Sequence, residues 1–243
     1  MSDFILNEKK GGGTYITVNR ADVNGIVSDE MATEIAGMID AAGRESKFVV
    51  YRSAGPDFCI GRDRGANPYA PAKEALDFRA NSETVFHFYD SFRRCPVPVI
   101  GGVQGRALGF GCSVAALFDV TIAADDARFA LPEMGHNILP TMAMSALVDR
   151  VGRKGLAYLA FSTREVDAAT ALAYGLVSLV VPKAKLDDEI ENVVKAVTKA
   201  PAPAVRGAKE YLGVAFGMDM KSAASYAKNL HATVNTSSRM REK

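Results

Sequence analysis

The chain has 243 residues, 48% of them apolar, enough to bury a sizeable core in one principal domain. Its 29 Lys and Arg balance 28 Asp and Glu, so net charge gives no argument for a nucleic-acid partner or an anionic membrane surface. With no Trp and only 8% aromatic residues, it offers no platform for base stacking.

Cys59, Cys95 and Cys112 form no C-x-x-C pair, which points to buried thiols in a reducing compartment rather than disulfides or a zinc site. Met1-Ser2-Asp3-Phe4 begins no basic-then-apolar leader, and no stretch reaches the ~18 apolar residues of a membrane span. The expectation is a soluble, cytoplasmic protein.

In chain order, the alternation of β-branched and aromatic residues predicts a strand over 13–19. Ser28 is placed to cap a helix that carries Met31, Ile35 and Ile39 at helical spacing. A short strand over 48–51 stops at Ser53-Ala-Gly-Pro56. The pattern from Ala72 to Arg94 is helical, with Leu76, Val85, Phe88 and Phe92 as candidate buried positions, and Pro96 and Pro98 end it. Strands follow over 99–103 and 119–124, separated by a glycine-rich turn and an apolar run at 114–117. Beyond Met142 the pattern is mostly helical, with one strand-like piece over 176–181 and a helical tail marked by Val205, Leu212 and Phe216. Strands alternating with helices predict an α/β domain of βαβ-type units, with the chemistry in turns at strand ends: 58–65, 104–113 and 128–141.

Each turn has a bland and a chemical reading. Gly61 in Phe58-Cys-Ile-Gly-Arg-Asp63 can let a neighbouring amide point into a cleft, or can simply turn the chain. Gly101 to Ser113 runs from strand to glycine-rich turn to helix start, leaving unpaired N–H groups suited to an anion. Its glycines fall as G-x-x-x-G-x-G, unlike a dinucleotide or phosphate loop, and close helix–strand packing would need the same glycines. Glu133, after Pro132 in an apolar setting, is either a carboxylate with a task or the first turn of a helix.

Together these turns resemble the enoyl-CoA hydratase/isomerase (crotonase) superfamily. Residues 15–31 are similar to its opening strand, CoA-contact turn and helix. Phe58-Cys-Ile-Gly-Arg-Asp63 resembles its F-x-x-G-x-D turn, and Pro98 through Gly105-x-Ala-Leu-Gly-x-Gly-Cys112 its signature, continuing to Asp119 and Ala127-Arg-Phe-x-x-Pro-Glu133. The resemblance implies a spiral of ββα units over 1–185 and a helical C-terminal region over 186–243 that packs into homotrimers, often paired as hexamers. It implies an acyl-CoA thioester substrate, with CoA present only as part of it and no prosthetic group or metal. It assigns two oxyanion-hole donors to the backbone amides of Arg62 and Phe110, a proton shuttle to Glu133, and CoA contacts to the backbone near Val23, Gly25, Ile60 and Asp63.

Several positions depart from the family pattern. Its hydratases hold two glutamates twenty positions apart, and the first of these is Ser113 here. A hydroxyl is no general base at neutral pH, though it can orient a water or a substrate hydroxyl. A lone Glu133 fits proton shuttling in an isomerase. The Ser–Glu pair is also similar to hydroxycinnamoyl-CoA hydratase-lyases, which grip a phenol with a tyrosine, a role open to Tyr69 or Tyr226. Loss of the first carboxylate leaves a non-catalytic acyl-CoA-binding subunit as a third reading. Phe110 stands where glycine is common, and Gly135 to Met142 replaces a glycine-rich run. That run makes His136 a second titrating candidate, with packing under a loop as its plainer use. His87 reads as structural, and His231 as near a subunit contact.

Overall fold

The computed structural model describes residues 3–63 and 74–241. The chain opens with β1 (Ile5–Lys10) and β2 (Gly13–Val18), an antiparallel pair, and then repeats one pattern: a strand of the main sheet, a short strand outside it, and a helix. The first repeat is β2, β3 (Val27–Ser28) and α1 (Asp29–Glu45); the second is β4 (Val49–Ser53), β5 (Arg62–Asp63) and α2 (Ala75–Arg94). The third is β6 (Val99–Val103), β7 (Arg106–Leu108) and α3 (Phe110–Leu117). The fourth is β8 (Val120–Ala124), β9 (Arg128–Ala130) and α4 (Thr141–Leu147). After α5 (Arg153–Ser162), β10 (Val166–Asp167) and α6 (Ala168–Tyr174), strand β11 (Leu179–Val181) ends the main sheet. Helices α7 (Leu186–Lys199), α8 (Ala202–Ala215) and α9 (Met220–Asn235) follow.

The main sheet runs β1-β2-β4-β6-β8-β11 and is parallel from β2 onward. The short strands form their own ladders, β10-β9-β7 and β3-β5. This winding is the ββα spiral expected above.

Side-chain alternation explains why both faces of the sheet are covered. In β6, Val99 and Val103 enter one core with the helices of the repeats, while Ile100 joins a second core with Leu186, Ile190 and Val194 of α7. In β4, Val49 and Tyr51 face the first core and Val50 the second.

Ser28 caps α1 as its position predicts, its side chain accepting from the Met31 amide at 3.3 Å, and Met31, Ile35 and Ile39 are buried. In α2, Val85, Phe88 and Phe92 are buried, but Leu76 is 75% exposed. It lies in the first turn of α2, where Leu76 to Ala80 are all exposed and helical spacing has no core to face. The expected helix start at Ala72 lies outside the described residues. All three cysteines are free and buried. Among the described residues, no helix is long and apolar enough to cross a membrane.

Candidate active site

The short strands bring the three turns together. Cys59 bridges Ala107 in parallel, the Leu108 amide donates to the Cys59 carbonyl at 2.9 Å, and the Cys59 amide donates to the Arg106 carbonyl at 3.0 Å. Gly111 completes the contact: a Cβ there would stand 2.0 Å from the Cys59 carbonyl oxygen, so α3 can start this close only with glycine. Asp57 ties the same two turns by charge. Its carboxylate accepts from the Arg106 amide at 2.9 Å and from the guanidinium at 2.8 Å, holding the Asp57 carboxyl below the usual carboxylate range.

Two backbone amides are turned out of their ladders by this arrangement. In the parallel β3–β5 pair, the Val27 amide donates to the Gly61 carbonyl and Val27 is in register with Arg62. Amides alternate edges along a strand, so the Arg62 N–H faces away from β3. The Phe110 amide is the first of α3, where a helix has no internal acceptor to offer. The capping residue Gly109 takes φ 54° and ψ −109°, open essentially to glycine alone, while its own amide donates to the Ala130 carbonyl at 2.9 Å.

Glu133 meets this junction from β9. It sits in a 3-10 turn over Pro132–His136, so the first-turn placement and the approach to the site coexist. A Cβ on Gly109 would lie 2.8 Å from Glu133 Oε1, which puts the carboxylate against the residue that precedes the Phe110 amide. The charge of Glu133 is also felt by Cys112, whose thiol burial pushes far up.

Arg62 is anchored by its side chain, 11% exposed, through an ion pair from Nη1 to Asp29 Oδ1 at 2.6 Å. Phe110 turns its ring into a stack with Phe88 (centroids 5.4 Å apart) and Tyr89 (5.8 Å), which is how a bulky side chain fits where glycine is common. Ser113 is fully buried, and its hydroxyl donates to the Gly109 carbonyl at 3.0 Å.

The sequence reading missed Tyr89 and Asp29. Tyr89 is 2% exposed, and burial pushes its phenol far above its ordinary range; the charges of Arg62 and Glu133 act on it. Val85, Tyr89 and Phe92 share one helix face at i, i+4 and i+7, the signal that could have found it.

Of the four positions assigned to CoA contacts, Val23, Gly25 and Ile60 lie at one junction of two turns. The Ile60 amide donates to the Asn24 carbonyl at 3.2 Å, and a Cβ on Gly25 would stand 2.2 Å from the Phe58 carbonyl, so the turn holding Val23 and Gly25 packs on 58–60. Asp63 is exposed at the end of β5. His136 and His87 are exposed, and His231 pairs with Asn235 on α9. Tyr226, on α9, stacks on Tyr211 and bonds to Glu210 of α8, and does not join these turns; Tyr69 lies outside the described residues.

The sequence profile described as enoyl-CoA hydratase/isomerase matches residues 8–242. The probable enoyl-CoA hydratase echA8 of Mycobacterium tuberculosis is 28% identical over 232 residues, covering 93% of this chain and 87% of that protein. The 1,2-epoxyphenylacetyl-CoA isomerase of Escherichia coli is 28% identical over 211 residues, covering 83% and 78%. The crystal structure of a Mycobacterium smegmatis enoyl-CoA hydratase superposes with a TM-score of 0.90 at 26% identity, over 98% of this chain and 93% of that one.

Proposed function

The chain belongs to the enoyl-CoA hydratase/isomerase family, and on that premise we propose that it processes an acyl-CoA thioester through an enolate, using Glu133 as the only carboxylate that moves a proton. The amides of Arg62 and Phe110 receive the thioester oxygen. As negative charge builds there, each preorganised donor lowers the barrier by roughly 3–4 kcal/mol. Glu133 takes a proton from the acyl chain and returns it at a second carbon, or takes a proton from a water as its oxygen adds at C3 and delivers that proton to C2 of the enolate. Val23, Gly25, Ile60 and Asp63 line the CoA approach. The exposed Leu212, Phe216 and Met220 on and beside α8 and α9 are the surface that a homotrimer covers.

The observation that carries this reading is the junction at Gly109. It places an uncommitted helix-start amide beside a carboxylate, on a turn bonded to the one that ends at Arg62.

A second reading, aryl-CoA hydration with retro-aldol cleavage, is favoured by Ser113 in place of a second carboxylate. A panel of enoyl-, dienoyl- and hydroxycinnamoyl-CoA esters read by mass spectrometry separates the two. Unchanged mass with a moved double bond means isomerisation, a gain of water means hydration, and a shortened acyl chain means cleavage. Glu133→Gln should fold, bind the esters and lose turnover by about 100-fold or more, the lower range for a positioned acid or base. Full turnover in that variant would remove Glu133 from the mechanism.

A further inference from the structure

We infer that Ser113 is a positioning residue, which aims and strengthens the Phe110 amide from the far side of its own peptide bond. The inference rests on the oxyanion reading above and extends it to a side chain that does not touch the substrate.

The geometry starts with one peptide unit. The carbonyl of Gly109 and the N–H of Phe110 belong to the same rigid plane, so a group that holds the carbonyl also sets the direction of the amide. That plane hangs from Gly109 at φ 54° and ψ −109°, a conformation that no ladder or helix imposes. Its carbonyl accepts twice at 3.0 Å: from the backbone amide of Ser113, the first helical bond of α3 that any residue there would make, and from the Ser113 hydroxyl, which this side chain alone supplies. A hydrogen bond accepted at the carbonyl also draws charge across the amide, and chains of such bonds strengthen one another by perhaps ~10–30% per bond.

The hydroxyl is in turn constrained. Ser113 has no exposed surface, and its second, longer contact is the Ala143 carbonyl at 3.4 Å. The ring of the buried Tyr89 stacks on the Phe110 side chain and holds the donor residue from its other side. An ionised glutamate at 113 has no hydrogen to donate to the Gly109 carbonyl, so the serine supplies an interaction that a second carboxylate cannot.

The test uses 2,4-hexadienoyl-CoA, whose conjugated thioester absorbs at longer wavelength when its carbonyl oxygen is polarised. The wild-type chain should bind it with a red shift. Ser113→Ala should bind within about threefold, show a smaller red shift, and lose roughly 3–10-fold in kcat with little change in KM, the scale of one hydrogen bond. Ser113→Cys is nearly isosteric, its thiol is a weak donor, and it should move the same readouts in the same direction, so the idea stays testable should Ser113→Ala fold poorly. If the wild type shifts and both variants shift equally, or kcat is unchanged in both, the inference is overturned. If the wild type binds the probe without any shift, the oxyanion reading itself fails.

Discussion

Lys209 Nζ lies 2.6 and 2.7 Å from the two carboxylate oxygens of Asp119, and this pair ties α8 to the start of β8 from 90 positions away. Both side chains are nearly enclosed, at 7% and 10% exposure. Asp119 also accepts the Val99 amide at 2.8 Å, and Lys209 donates to the Phe92 carbonyl at 3.3 Å. One ion pair thus joins α8, β6, the start of β8 and the end of α2.

Lys209→Met keeps most of the packing volume but strands a buried anion. Breaking one side of such a pair costs about 3–5 kcal/mol, so the urea midpoint should fall steeply with an unchanged slope. A loss below about 1 kcal/mol, the value of an exposed pair, would show that water already reaches Asp119.

Gly109→Ala tests the junction directly. The added methyl would meet Glu133 Oε1 at 2.8 Å, on a backbone where any side chain is strained. The carboxylate must then move, and displacement of about 1 Å in a reacting group can cost ~100-fold in rate. The expected result is a chain with native circular dichroism and CoA-ester affinity but kcat down about 100-fold. Wild-type kcat would mean that Glu133 does not work from this position.

Asp57 gives a pH dependence with a definite sign. The hydrogen bonds and charge of Arg106 depress its folded pKa below the ordinary value of about 3.9. A depressed carboxyl contributes stability that is fully present above the unfolded pKa and disappears as pH falls through the folded one. The stability gap between wild type and Asp57→Asn should therefore be largest above about pH 5 and be smaller at about pH 3, below the ordinary carboxyl value. Chemical denaturation at pH 6 and pH 3 measures it, and an equal gap at both would exclude a charge-based tie between the two turns.

How much of this was legible depends on how long each signal runs. The α1 helix declared itself through a cap and three apolar residues at helical spacing, and β6 through an unbroken apolar run between Pro98 and a glycine-rich turn. By contrast, β1 buries only Ile5 and carries no apolar alternation, so nothing in its composition marks it as a strand. Strands β3, β5, β7 and β9 are two or three residues long, too short for any periodicity to register. They are nevertheless the elements that join the turns.

Taken alone, the order of residues was enough to settle the α/β class and the buried face of α1, and to mark the turns that could carry chemistry. It did so because local periodicity and turn preferences act over a few neighbours. The meeting of residues 59, 107, 109 and 133, the outward turn of the Arg62 amide, and the engagement of the Ser113 hydroxyl with Gly109 were decided only by the folded chain. Those are contacts between backbone groups and distant segments, where the donors and acceptors are the same for every sequence and only their arrangement in space tells them apart.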